Sequence, residues 1–359
     1  MMPHDLNPMT FRYNADDILN LKRCTKCILP ETYPNIWFNE QGICNYCLNH
    51  TDHYYPGHEA LHRELETYRN NKGEKYDCLV GLSGGKDSTY TLYQIVTVHK
   101  MRPLAFHFDN GTTGEAAKVN VNNTVKKLHV DLITVKSKNS QREKVFRNNF
   151  NAWCREPRVE MIPMWCVGCN EGYRLGAFRL SKKLKIPLYI AGSSAIEGAS
   201  FKRDLIKGRN LYLNYIYKLL RNPLYLKPNL LATTIKDHLL RARPFWVDYY
   251  YRYNVKRISY FSWVKYDEKK VLNTVKNELG WTSDIDTSTS RIDCIVGILR
   301  DYLYDRMLGF TEDDVKHSNM IRQGMLLRSE GMVRVEKRLT GVEDDINYVI
   351  SYMKNIGIN

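Results

Sequence analysis

The chain has 359 residues, with 53 Lys and Arg against 39 Asp and Glu and a formal net charge of +14 at pH 7. That length supports a large buried core and about two domains, and the basic balance favours acidic partners such as nucleotides, tRNA or anionic lipid surfaces. No apolar run reaches the ~18 residues of a membrane span, and Met1-Met2-Pro3-His4-Asp5 lacks the basic-then-apolar order of a secretory signal. A cytoplasmic protein without a transmembrane segment is expected.

Residues 1–58 carry Cys24-Thr25-Lys26-Cys27 and Cys44-Asn45-Tyr46-Cys47, with sixteen residues between the pairs. This is zinc-ribbon spacing: each Cys-x-x-Cys sets two thiolates at one turn, and two such turns close a tetrahedron. With all four positions filled by sulfur, no site stays open to water or substrate. The expected Zn²⁺ is therefore structural. Nine cysteines in a reducing compartment point to ligation and redox chemistry rather than cross-links.

Residues 73–200 read as alternating strands and helices. Strands are predicted at 78–80, 104–108, 131–135 and 187–191, with helices at 88–100 and 115–128. Leu92, Ile95, Val96 and His99 share a face of the first helix, and Val121, Val125 and Leu128 a face of the second. Strand, crossover helix and parallel strand make a doubly wound α/β sheet, whose ligands lie beyond the carboxyl ends of its strands. Those ends are Ser83-Gly84-Gly85-Lys86-Asp87-Ser88, then His107, Asp109, Asn110 and Gly111, then Gly192, Ser193 and Ser194. Asp109 and Asn110 are also ordinary turn formers.

The run Ser83–Ser88 follows a strand and opens a helix, where two glycines let backbone N–H groups approach an anion. The helix N-terminus adds a positive dipole and Lys86 a mobile cation. The kinase-type phosphate loop fails on spacing: Gly81 is four positions before Gly85, and Lys86 is followed by Asp87.

Between Phe201 and Tyr260, thirteen Lys and Arg face three Asp, interleaved with Tyr249, Tyr250, Tyr251 and Tyr253. Such a segment can grip nucleic acid by phosphate pairing and stacking, rest on a membrane surface, or form a solvated basic face. Beyond Gly280 the chain reads as helical, with Thr311 capping a turn through Asp314 and Glu312 and Asp313 suited to a helix start. Residues 201–359 are read as a mainly helical substrate or partner domain.

The loop resembles the SGGxDS PP-loop of ATP pyrophosphatases, which split ATP into AMP and pyrophosphate. A second cysteine set, Cys166, Cys169 and Cys294, is one thiol short of a closed zinc site. Three-cysteine ligation with one open iron position is the arrangement of [4Fe-4S] tRNA thiolases in that superfamily. A second zinc with Cys154 as fourth ligand, a redox pair from Cys166 and Cys169, or inert cysteines are the alternatives. Cys78, inside the first strand, reads as core.

Taken together, the ribbon with Gly42-Ile43-Cys44-Asn45-Tyr46-Cys47, the loop, Trp165-Cys166-Val167-Gly168-Cys169, Cys294, Leu308-Gly309-Phe310-Thr311 and Ile321-Arg322-Gln323-Gly324 resemble the N-acetyl sugar amidotransferases of bacterial surface-polysaccharide (lipopolysaccharide O-antigen) biosynthesis. Gly192-Ser193-Ser194 departs from the Gly-Glu-Asn of close relatives. The resemblance implies an AMP-forming enzyme that turns the acetamido group of a nucleotide-linked sugar into an acetamidino group. It assigns ATP to Ser83–Ser88, His107, Asp109, Asn110, Gly192 and Ser193, and Mg²⁺ to Asp87, which is equally suited to cap the helix. Lys86, Asp87, Cys166, Cys169 and Cys294 fall in the catalytic centre. Ammonia is expected from a separate glutaminase and an ammonia-conducting subunit. The alternative is a PP-loop tRNA sulfurtransferase with a three-cysteine [4Fe-4S] cluster, for which tRNA is the partner. A third reading, a non-enzymatic zinc-ribbon adaptor on nucleic acid, leaves the loop without a role.

Overall fold

The computed structural model describes residues 11–69, 74–136, 141–198, 201–205, 255–283, 294–340 and 342–355. Most of the basic, tyrosine-rich segment, 206–254, lies outside the described residues.

The chain begins with a small ribbon holding α1 (Ala15–Asn20) and the single turn α2 (Asn45–Leu48), tied by antiparallel bridges Arg23 to Pro30 and Phe38 to Cys44. After α3 (Gly57–Glu66) come β1 (Cys78–Gly81), α4 (Lys86–Thr97), β2 (Pro103–Asp109), α5 (Glu115–Leu128) and β3 (Leu132–Lys136). Next follow α6 (Gln141–Arg155), a 3-10 stretch at Val159–Cys166, α7 (Val167–Lys183), β4 (Leu188–Ser194), α8 (Phe201–Asp204), β5 (Lys256–Phe261) and α9 (Glu268–Leu279). Four helices finish the chain: α10 (Ile295–Leu308), α11 (Glu312–Arg322), α12 (Arg328–Thr340) and α13 (Val342–Asn355).

All five strands are parallel, in the order β3-β2-β1-β4-β5. From β1 the chain winds outward through β2 to β3, then returns across the sheet to β4 and β5. The order therefore reverses between β1 and β4, and the crevice beyond their carboxyl ends is the place where doubly wound sheets bind ligands.

Alternation along β1 sorts its side chains onto two faces. Cys78 and Val80 pack with Leu92 and Ile95 of α4, Val121 of α5 and Val271 and Val275 of α9. Leu79 packs on the other face with Phe106, Tyr189 and Ala177 and Phe178 of α7. Cys78 is wholly buried, and burial pushes its thiol up, as a core residue requires.

A third core joins the ribbon to the C-terminal region. Leu29, Tyr33 and the four ribbon cysteines cluster with Phe150 and Trp153 of α6 and with Leu299, Leu303, Tyr304 and Phe310. The predicted cap at α11 forms as a full box: Thr311 Oγ1 accepts from Asp313 N at 3.2 Å, and Asp314 Oδ2 accepts from Thr311 N at 2.8 Å. Asp314 is also bound by Arg338 at 3.0 Å, and Arg338 forks onto Asp305 at 2.9 Å.

Candidate active site and metal centre

The loop Ser83–Ser88 lies at the point where the strand order reverses. Gly84 has φ +89°, and a Cβ there would stand 2.2 Å from the carbonyl oxygen of Ala117. Only glycine lets the loop lie this close to α5. Helix α4 starts at Lys86, two residues earlier than predicted, with Gly85 as N-cap and no side chain capping its first turn. The first turn of α4, at the loop, is thus left without a side-chain cap, the elementary requirement of an anion site.

The loop is cross-braced internally. Ser88 Oγ accepts from Ser83 N and lies against Ser83 Oγ, both at 3.1 Å, and donates to Gly85 O at 3.0 Å. It is also held from outside: Trp281 Nε1 donates to Gly84 O at 3.0 Å, and Asn120 Nδ2 to Gly84 O at 3.3 Å. Asn120 is itself locked, exchanging hydrogen bonds with the backbone of Thr282 at 2.7 and 3.0 Å.

Lys86 is almost enclosed and sits 3.5 Å from Glu268, at the start of α9. Burial alone would lower its pKa, but Asp87 and Glu268 outweigh that and raise it, so the ammonium stays charged. Burial likewise pushes Glu268 up, and Lys86 and Arg334, the latter at 2.6 Å, more than reverse it to about 2. Asp87 accepts from Tyr266 OH at 2.8 Å and lies 3.9 Å from Lys316 of α11. Burial, then the charge of Asp87, drives the Tyr266 phenol upward, keeping it a donor. The loop's two charged side chains are thus each balanced by partners from α9, α11 and α12. Tyr266 and Asp267 also line a cleft of about 720 Å³ with Tyr55, His58, Tyr90 and Lys270.

The other strand ends converge on the same crevice to different degrees. Gly192, at the end of β4, backs directly onto the loop: a Cβ there would meet Asp87 O and Ser88 Cα at 2.9 Å. Ser193 donates to Ser259 Oγ at 2.9 Å and accepts from Arg257 at 3.0 Å. His107 is buried and its Nδ1 donates to Leu82 O at 2.9 Å, bracing the strand that feeds the loop. Asp109 and Asn110 shape the turn after β2: Asp109 accepts from Gly111 N at 3.0 Å, and Asn110 from Thr112 N at 2.7 Å.

The ribbon cysteines form a closed tetrad. All four Sγ atoms lie within 4.8 Å of one another, with Cys24 to Cys47 at 3.9 Å and Cys27 to Cys44 at 3.8 Å. A tetrahedral ion with metal–sulfur bonds of about 2.3 Å has sulfur–sulfur edges of about 3.8 Å, so the tetrad fits one tetrathiolate-bound metal. Donors surround it. The N–H groups of Lys26, Cys27 and Cys44 reach Cys24 Sγ at 3.2–3.4 Å, and Arg322 Nη1 reaches Cys27 Sγ at 3.4 Å.

Cys166, Cys169 and Cys294 make no such single-ion group among the described residues, although a multi-iron cluster spreads its thiolates over separate irons. Cys294 Sγ lies 3.5 Å from Thr112 Oγ1, in the turn after β2. Cys166 Sγ accepts from the buried Arg300 at 3.3 Å, and Arg300 pairs with Glu312 at 2.9 Å. Cys154 is partly buried in α6, its thiol pushed up to about 11 by burial.

No family model matches the sequence. An uncharacterised protein of Methanocaldococcus jannaschii is 27% identical over 190 residues, which make up 52% of this chain and 64% of that protein. The chain thus spans less than two thirds of the curated relative it matches. Among solved structures, the U34-tRNA thiolase NcsA of Methanococcus maripaludis, with its [4Fe-4S] cluster, aligns over 94% of this chain and 98% of its own, at 17% identity and a TM-score of 0.34. An NH3-dependent NAD synthetase of Campylobacter jejuni aligns over 52% of this chain and 95% of its own, at 16% identity and a TM-score of 0.28. Both superpose loosely. No described helix is long and apolar enough to cross a membrane.

The tetrad Cys24, Cys27, Cys44 and Cys47 is legible in the sequence, whereas the neighbours of the loop, Asn120, Tyr266, Glu268, Trp281, Lys316 and Arg334, are not. These lie on elements distant in sequence from the loop. The one local signal is Asn120, an amide on the buried face of α5 beside Ala116, Ala117 and Val121.

Proposed function

We propose that this chain is a PP-loop, AMP-forming ATP-dependent amidotransferase acting on the N-acetyl group of a nucleotide-linked sugar. The observation that carries the ATP-using part is the seating of Ser83–Ser88 at the switch point of the sheet, where the N-terminus of α4 has no side-chain cap and Lys86 stays charged. Such a cradle suits the β,γ-diphosphate of ATP. The sugar specificity, the O-antigen pathway and the glutaminase and ammonia-channel partners rest on the sequence resemblance.

The chemistry follows from the poor leaving ability of an amide oxygen. That oxygen attacks the α-phosphorus of ATP, the bond to the β-phosphate breaks, and pyrophosphate departs into the loop. Backbone N–H groups and Lys86 there stabilise the charge that builds on the leaving oxygens. Ammonia then adds to the imidate carbon, the carbon–oxygen bond breaks with AMP leaving, and loss of a proton gives the acetamidino group. Asp87 would hold Mg²⁺, which would supply further charge neutralisation. Tyr266 and Lys316 hold that carboxylate in place. Zn²⁺ suits the closed tetrad, in a structural role.

A second reading, a tRNA sulfurtransferase, draws on one specific contact. Cys294 touches Thr112 in the turn after β2, and that contact supports a role for the second cysteine set near the carboxyl end of the sheet. Three soft thiolates at Cys166, Cys169 and Cys294 would hold a [4Fe-4S] cluster with one iron open, which would supply a site for sulfur.

The test is mass analysis of products from ATP, ammonium and candidate N-acetylated UDP-sugars. The amidotransferase gives a sugar lighter by the difference between O and NH, with AMP and pyrophosphate. Sulfur incorporation into tRNA, iron in the purified protein and an unchanged sugar would establish the second reading instead.

A further inference from the structure

Two helices of the C-terminal region link the ribbon to the loop Ser83–Ser88, α11 directly and α12 through Glu268. On α11, Arg322 Nη1 lies 3.4 Å from Cys27 Sγ and 3.7 Å from Cys47 Sγ. Less than two turns earlier, Lys316 stands 3.9 Å from Asp87. On α12, Arg328 Nε donates to the carbonyls of Cys24 and Cys27, both at 3.0 Å, and Arg334 pairs with the Glu268 that holds Lys86. A third link branches from Arg322 itself. Its Nη2 donates to Asn319 Oδ1 at 2.6 Å, and Asn319 Nδ2 donates at 2.8 Å to the carbonyl of Ile196, in the turn just after β4.

We propose that Arg322 is a positioning residue through which the metal-filled ribbon sets the geometry of the ATP loop. The proposal rests on the reading of that loop as an ATP site. A divalent ion bound by four thiolates is a fixed, net-negative acceptor, and Arg322 meets it with a charge-assisted hydrogen bond. That contact fixes one end of α11. A helix of this length moves as a stiff unit, so fixing its ribbon end also fixes Lys316 against Asp87 and Asn319 against the end of β4. A tetrathiolate ion with no open coordination position thereby acquires an effect on nucleotide binding without touching nucleotide. Linkage makes the effect reciprocal: the factor by which metal tightens ATP is the factor by which ATP tightens metal.

The test uses the full chain, zinc-loaded or stripped with a chelator, as wild type, Arg322→Gln and Arg322→Lys. ATP affinity is measured by calorimetry, and zinc affinity by competition with a chelating dye with and without ATP. Removing zinc should weaken ATP binding about 5–150-fold, the usual range of such couplings, and ATP should tighten zinc by the same factor. Arg322→Gln should keep its zinc yet bind ATP more weakly than wild type, with the coupling factor close to one, and Arg322→Lys should retain most of it. If stripping unfolds the chain, the zinc-loaded Arg322→Gln protein decides, and wild-type ATP affinity in it overturns the proposal. ATP binding that ignores zinc in the folded wild type does the same. A zinc-loaded wild type that binds no ATP removes the ATP-site reading itself, a distinct outcome.

Discussion

The indole N–H of Trp281 donates to the carbonyl of Gly84 at 3.0 Å, so a residue 197 positions downstream holds the middle of the loop Ser83–Ser88. Trp281 is buried against the core formed by β1, α4 and α9. The loop is therefore a tertiary construction, and its shape depends on α5 and α9 as much as on its own glycines.

Trp281 should report nucleotide directly. Adding ATP should change the emission of wild-type protein, and subtracting the spectrum of Trp281→Phe should isolate that change from the other five tryptophans. The variant, lacking a buried hydrogen bond worth about 0.5–1.5 kcal/mol, should bind ATP several-fold more weakly. A full ATP-induced signal in Trp281→Phe would show that the contact does not sense the loop.

Gly84→Ala should weaken ATP binding while sparing the ribbon. The positive φ alone costs a side-chain-bearing residue about 1–3 kcal/mol, and the new methyl would collide with the Ala117 carbonyl. At about 1.4 kcal/mol per tenfold, ATP affinity should fall by tenfold or more with zinc content unchanged. Calorimetry with parallel metal analysis checks both halves.

Acid should destabilise the fold over a definable window. Burial, then the neighbouring His58 and His62, lowers His99 to about 4. Burial, aided by Arg334 and Lys316, lowers His317 to about 4. Both stay neutral in the fold down to that pH, whereas in the unfolded chain they take up a proton near 6.5. The unfolded state thus binds more protons between about 4 and 6.5. Stability should fall as pH drops through the window, by up to roughly 1.4 kcal/mol per pH unit for each histidine, partly offset below about 6 by Asp305, whose carboxyl burial pushes up to about 6. Below the window, Glu268, held down to about 2 from 4.5, adds a further loss as it protonates. Urea unfolding at a series of pH values measures the slope, and His99→Leu should make it shallower.

Much of this was legible locally. Four of the five strands, the helix at Glu115–Leu128 and the box at Thr311 follow from short apolar runs, helical period and cap chemistry, all short-range signals. The tetrad was legible because two Cys-x-x-Cys turns leave little geometric choice. β5 was missed because Lys256 and Arg257 open it at the sheet's edge within a run of basic residues, masking the alternation of the buried Ile258 and Tyr260. The partners of Lys86 and Asp87 were illegible for a different reason. Glu268, Tyr266, Lys316 and Arg334 acquire meaning only when three helices dock beside the loop, and no spacing along the chain encodes that docking. The second cysteine set stays in between: its residue types announce soft-metal chemistry, while its assembly depends on tertiary contacts such as Cys294 with Thr112.

The central claim is that the cradle at Ser83–Ser88 takes the β,γ-diphosphate and leaves AMP on an activated oxygen. Phosphorus NMR of ATP turnover by the zinc-loaded protein, with ammonium and an N-acetylated UDP-sugar, tests it most directly. Equal amounts of AMP and pyrophosphate are predicted. ADP with inorganic phosphate would contradict it.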